Sequence, residues 1–272
     1  MDDQAPGGGQ PAAPARRGTT AWLGVAGLAT LLAALEIVPR TGLVSPDFFP
    51  PTSRIAQALA TEVTDPAFWV ALAGTLKGWA LGLLIATSAG VVTGVLIGAV
   101  PVLRELTAST IEFLRPIPSV ALIPLAVLLF GTDIRSTLLL VTYAAFWQVL
   151  LQVLYGVQDV DPVAEETARS YGLRAPARVR YVLWPTALPY VMTGVRLAAA
   201  VALVLAITAE LVIGAPGLGA RIAVAQQSNA VPDMYALVAV TGLLGVLINL
   251  GARAVERRTL AWHQSVRGEV VA

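Results

Sequence analysis

The chain has 272 residues, 56% of them hydrophobic and only 13% charged, with a net charge of +1. A soluble domain carries about a quarter charged residues. This composition, with a mean hydropathy of +0.73, therefore excludes an ordinary soluble enzyme and indicates an all-α, polytopic membrane helix bundle. The absence of cysteine excludes disulfides and thiolate metal sites. The single histidine, His263, leaves no histidine-based catalytic or metal centre.

Residues 1–19 are rich in Gly, Pro, Ala and Gln and read as a disordered tail. Arg16 and Arg17 then precede an apolar run at 20–39. That start mimics a secretory signal, but the run is long enough to span and no small-residue cleavage site follows, so it reads as an uncleaved helix. The segment 40–68 has Pro-rich turns and one interfacial helix at about 52–63. A second span, 76–100, carries Gly78, Gly82, Gly90, Gly94 and Gly98 at multiples of four residues. Such ladders let helix backbones approach closely in lipid. Trp69 and Trp79 fit an outer aromatic belt. A third span, 109–131, is interrupted by Arg115-Pro116-Ile117-Pro118 and by Pro124; prolines at that depth place it inside a bundle. A fourth follows at 136–156.

Asp161 to Pro185 is the longest polar stretch between two apolar ones. Asp161 suits an N-cap and Pro162 the first helical position. Val163, Ala164, Thr167, Ala168 and Tyr171 fill one arc of a helical wheel, and Glu165, Glu166 and Arg169 the other. Glu165 and Arg169 stand in the favoured i, i+4 order. Gly172 suits the left-handed residue that ends a helix. Ala175-Pro176 restarts one and Trp184-Pro185 closes it. Beyond lie a fifth span at 187–213, a glycine-rich loop with a short helix at 214–233, and a sixth span at 234–252. The membrane domain covers 20–256, and 257–272 form a C-terminal tail. Basic residues set the orientation. With both termini inside, twelve of them face the cytoplasm and four, Arg40, Arg54, Arg135 and Arg221, face outward. The 161–185 loop is then cytoplasmic.

Ionisable groups at membrane depth usually face a cavity or a partner. Glu112 and Arg115, one turn apart, read as a structural ion pair anchoring a broken helix at the inner interface. Lys77 either snorkels outward or stands near a pathway entrance. Glu36 reaches toward the outer headgroups, and Arg196 has lipid phosphate, loop carbonyls or solute as partners. Glu210, late in the fifth span before the glycine-rich loop, is the leading gate candidate, with structural hydrogen bonding as the alternative. Gln148, Gln152 and Asn249 either line a pathway or hydrogen-bond between helices.

Glu166-Thr167-Ala168, three residues, Gly172, nine residues, then Val182-Leu183-Trp184-Pro185 resembles the EAA loop of bacterial ABC-importer permeases. Thr167, Val182 and Trp184 depart mildly from that pattern. Leu114-Arg115-Pro116-Ile117-Pro118, Gly194-Val195-Arg196, Ala209-Glu210 and Gly217-Leu218-Gly219 extend the likeness over about 40–262. It points to the subgroup for nitrate, sulfonate, taurine and related small solutes. The resemblance implies the type I importer permease fold in a bacterial inner membrane. It implies that Ala164, Glu165, Glu166, Thr167, Ala168, Arg169, Ser170, Tyr171 and Gly172 form a coupling helix that docks on a cytoplasmic ATPase. It further implies an outer solute-binding protein, a second permease copy and alternating access within membrane lipid. The chain has no Gly-x-x-x-x-Gly-Lys-Ser/Thr loop, so it binds no cofactor itself, and ATP and Mg belong to the ATPase. Nucleic acid is not an expected partner. A stand-alone secondary carrier or a membrane enzyme is the competing class.

Overall fold

The computed structural model describes residues 17–262. The predicted N-terminal tail through residue 16, His263 and the rest of the C-terminal tail lie outside the described residues. The chain divides into two compact units, Met1–Ala56 and Gln57–Ala272.

In the first unit, α1 (Arg17–Arg40) is a single apolar helix long enough to cross a bilayer. Its large side chains, among them Trp22, Leu28 and Ile37, are exposed. Glu36 finds its partners within this unit. Its carboxylate accepts hydrogen bonds from the Ser53 amide and hydroxyl, both at 2.9 Å, and pairs with Arg40. Ser53 lies in the first turn of α2 (Thr52–Thr64), so an acidic group satisfies a free helix-start amide.

The second unit is built on α3 (Pro66–Ala99), which begins ten residues before the predicted span because Asp65 caps it and Pro66 opens it. Its glycines pack on α6 (Ile134–Gln158). Gly78 faces Thr137, while Gly82, Gly90, Gly94 and Gly98 face Val141, Val149, Val153 and Val157. A Cβ added at any of those four would come under 3.0 Å from the valine, so glycine sets how closely the helices approach. Ala86 and Ala145, both fully buried, complete the row. Sequence numbers rise together on both helices, so α3 and α6 are parallel. The chain between them must therefore return from one end of the bundle to the other.

That return is made by α4 (Pro101–Leu114), a 3-10 turn (Ser119–Leu122) and α5 (Ile123–Phe130). The two arms are bent by 82°. The expected single span at 109–131 is thus a broken crossing. Pro116 and Pro118 supply no N–H to continue the helix, and the Tyr143 hydroxyl donates to the Leu114 carbonyl at 2.7 Å. At its far end α5 is tied to α6, where the Ser136 hydroxyl bonds the Ala126 carbonyl at 3.1 Å.

After α6 come α7 (Pro162–Ser170), α8 (Ala175–Arg178) and a π-helical turn (Val179–Leu183) that runs into α9 (Trp184–Ile213). Trp184-Pro185 does not close a helix, as the sequence reading had it. The wider turn absorbs the missing proline N–H and the ring's clash with the preceding turn, and Pro185 becomes an opening residue of α9. α9 runs antiparallel to α6: Gly156 meets Ala187 and Tyr190, and Gly194 meets Val149 and Gln152. α10 (Leu218–Gln227) follows a left-handed Gly214, and α11 (Val231–Thr259) descends along α9. Among the described residues, five helices are long and apolar enough to cross a membrane, or six if the bent pair counts as one span. The main core lies where α3, α6 and α9 meet, around Val141, Val149, Val153, Ala198, Ala202 and Ala206. Trp79 belongs to it rather than to an outer belt, its indole N–H donating to the Ala199 carbonyl at 2.9 Å.

Candidate functional site

The stretch 161–185 folds as a braced hairpin at the end of the bundle where α6 finishes and α9 begins. The Asp161 carboxylate accepts from the Val163 amide at 2.9 Å and Pro162 opens α7. α7 ends in a closed cap. The Leu173 amide reaches the Ala168 carbonyl at 3.0 Å, the Gly172 amide reaches Arg169 at 2.9 Å, and Gly172 sits at φ +74°. This pair of bonds satisfies the last free carbonyls of the helix and needs a residue that tolerates positive φ.

The two arms are clamped through Glu165. It pairs with Arg169 on its own helix at 3.3 Å, as the spacing predicts, and with Arg178 on the second arm at 2.7 Å. Arg178 stands thirteen positions away, beyond the reach of any i, i+4 rule. The base is closed by the Tyr190 hydroxyl, which donates to Asp159 at 2.8 Å. One part of the expected outward face is turned inward: Ala168 is buried within the chain, whereas Val163 and Tyr171 are 68% and 82% exposed. Ala164, Glu166, Thr167 and Ser170 are also exposed. The hairpin thus presents an apolar and polar outer surface on a stiff frame.

At the opposite end of the bundle Glu210 is 2% exposed. Its carboxylate accepts from the Thr75 hydroxyl at 2.8 Å and the Gly219 amide at 3.0 Å, and the Thr75 oxygen accepts from the Leu218 amide at 2.9 Å. Two free amides at the start of α10 are thereby satisfied by side chains of α3 and α9. A Cβ at Gly217 would fall on the carboxylate itself, which accounts for the glycine-rich approach. Nearby, Arg221 bridges Glu62 at 2.7 Å and Asp65 at 2.8 Å. The Ala67 amide, and then Arg221, hold the Asp65 carboxyl below the ordinary range.

The remaining candidates scatter. Lys77 is exposed on α3, and Gln148 and Gln152 are half-buried on α6 beside α9. Asn249 lines a groove between α9 and α11. Arg196 pairs with Glu256 of α11 at 3.0 Å. Glu112 and Arg115 do not form the expected ion pair. Both side chains are exposed, where pairing gains little against the side-chain entropy it costs. Sequence reasoning gave no bonding role to Thr75, Arg178 or Arg221. Each acts on a residue far along the chain, and only the packed helices bring the partners together. No group of ligands able to hold a metal occurs among the described residues.

A family profile described as "Binding-protein-dependent transport system inner membrane component" matches residues 86–260. The chain is 33% identical to the taurine transport system permease protein TauC of Escherichia coli (strain K12), over 90% of this chain and 91% of that one. It is 27% identical to the putative aliphatic sulfonates transport permease protein SsuC of Bacillus subtilis (strain 168), covering 88% and 87%. Against the nitrate import permease protein NrtB of Leptolyngbya laminosa the identity is 26%, covering 68% and 67%. Among solved structures it superposes on the inward-facing MetNI methionine ABC transporter with TM-score 0.59 at 20% identity, over 71% of this chain and 98% of that one. An amino acid ABC transporter crystallised with histidines gives 0.60 at 22%, over 74% and 97%. Those two likenesses show a shared fold. The chain accordingly belongs to the binding-protein-dependent transport system inner membrane components, as a multi-pass ABC-importer permease subunit and not an enzyme.

Proposed function

We propose that this permease carries a small sulfonate or related oxyanion across a bacterial inner membrane by alternating access. The hairpin 162–183 lies in the cytoplasm, gripped by an ATPase subunit that binds ATP and Mg. An extracytoplasmic solute-binding protein delivers solute to the opposite end. Two copies of the chain enclose the pathway. α11 ends at Thr259 on the hairpin's side of the bundle, which supports a cytoplasmic C-terminus. The excess of basic residues supports a cytoplasmic position for that side, and the proposal has the N-terminus inside as well.

One observation carries the coupling role: a short helix held rigid by its cap, by Glu165–Arg178 and by Tyr190–Asp159, yet leaving Val163 and Tyr171 bare. A loop that only transmits force needs stiffness and a grip, with no catalytic group. The solute class rests on the taurine and sulfonate relatives. Co-purification tests the coupling. Tyr171→Ala should leave the permease in the membrane and lose most of the bound ATPase, since exposed aromatic residues dominate such contacts. An ATPase retained in full by both Tyr171→Ala and Val163→Ser would remove the docking role from this face.

A further inference from the structure

Glu112 and Arg115 stand beside the stretch of α6 that runs from the middle of the bundle toward the hairpin's end. The row from Gly78–Thr137 to Gly98–Val157 is twenty residues long on each helix, about 30 Å, the thickness of a hydrocarbon core. Its midpoint on α6 is Trp147. Ile111 and Leu114 of α4 pack in the cluster around that tryptophan, and Leu151 and Tyr155 beside Glu112 and Arg115 lie one and two turns below it, so the two charges lie between mid-depth and the hairpin's end. They line a cleft of about 560 Å³ with Ile111, Pro116, Leu151 and Tyr155.

α4 itself has three sides. Thr107, Ile111 and Leu114 are its half-buried positions, facing the bundle. Val102, Leu106 and Phe113, 63–74% exposed, form an apolar side. Glu105, Ser109, Glu112 and Arg115 recur at i, i+4, i+7 and i+10 and form an exposed polar side. That stripe starts at the hairpin's end of the bundle and stops short of mid-depth, where Pro116 bends the chain. Charges left without partners at this depth are costly against lipid and are found where water or a solute meets them. A helix with one apolar and one charged exposed side separates those two surroundings.

We propose that Glu105, Ser109, Glu112 and Arg115, with Tyr155, line a water-filled half-channel from the hairpin's end toward mid-membrane, and that the Arg115 and Glu112 pair is the transit site of an aminosulfonate. This rests on the sulfonate reading above. Arg115 offers a planar fork of donors that matches two sulfonate oxygens, and the Tyr155 hydroxyl a further donor. Glu112, one turn back, accepts from the solute's ammonium group. Two opposite charges kept apart suit a zwitterion with separated ends; had they paired with each other, they would offer neither.

The chain has no cysteine, so single cysteines report water directly. In inside-out vesicles carrying the assembled complex, Ser109→Cys and Glu112→Cys should react with an anionic, impermeant maleimide much faster than Phe113→Cys. Equally slow reaction at all three would mean that lipid or the second copy covers the stripe, and would overturn the half-channel. In reconstituted complexes, Arg115→Gln should cut uptake of both taurine and ethanesulfonate about tenfold or more, the loss expected for a charged hydrogen-bond partner. Glu112→Gln should cut taurine by that factor and spare ethanesulfonate. Equal effects of Glu112→Gln on both solutes would overturn the zwitterion site. A wild-type complex that transports neither sulfonate would end the solute assignment, leaving the labelling to decide the half-channel alone.

Discussion

Single side chains here act mostly by closing backbone ends. Gly172 is the clearest case, because its φ of +74° lies where a β-branched residue is strained. Gly172→Val should cost the hairpin about 1–3 kcal/mol and loosen α7, read as faster amide exchange from Val163 to Leu173. The space around Gly172 is open, so Gly172→Asn, which tolerates that φ better, should be milder. Equal exchange in both variants would show that the cap is not what orders α7. Thr75 is the counterpart at the other end. Thr75→Val removes a donor to Glu210 and an acceptor for Leu218, leaving buried polar groups unpaired at about 1–3 kcal/mol. A lower melting temperature in detergent is the expected readout, and an unchanged one would remove Thr75 from the fold's support.

Pairs of elements depend on glycine against valine. Gly94→Leu should drive α3 off α6, since even a Cβ there meets Val153 side-chain atoms and lies 3.3 Å from the Leu150 carbonyl. Overpacking of this kind costs about 1–3 kcal/mol, and Val153→Ala in the same chain should recover part of it. A double variant no better than Gly94→Leu alone would place the clash on the backbone. At the far end, Arg221 fastens α10 to the α2–α3 corner through Glu62 and Asp65. The Asp65 carboxyl is held below its ordinary range first by the Ala67 amide and then by Arg221. Its stabilising contribution is therefore present above the unfolded value and lost only as pH falls through the depressed one. Protection of α10 amides should persist through the ordinary carboxylate range and fail in stronger acid. Loss at the ordinary value would mean that this contact is not formed in the folded protein.

For the molecule as a whole, much was legible because spans and caps are local. The six apolar runs, Asp161, Gly172 and the glycine ladder all follow from residue type and spacing. The rest needed the third dimension. Pro185 reads as a stop until the π turn shows how it is absorbed, and Glu112 with Arg115 reads as a pair until α4 shows both exposed and unbridged. Ala168 shares an arc with Val163 and Tyr171 on a wheel, yet it alone of the three is buried within the chain. The hairpin and α10 stand at opposite ends of the bundle, and the proposed orientation puts the hairpin inside. In intact cells an impermeant thiol reagent should label Ser228→Cys and spare Ser170→Cys until the membrane is opened, and labelling of both from outside would reverse the orientation. The most direct test of the whole reading is uptake in proteoliposomes holding the permease, its ATPase and its binding protein, without any ion gradient. Accumulation of solute that requires ATP on the hairpin's side, and falls with Tyr171→Ala, is the predicted result. Accumulation by the permease alone, driven by an ion gradient and indifferent to ATP, would contradict it.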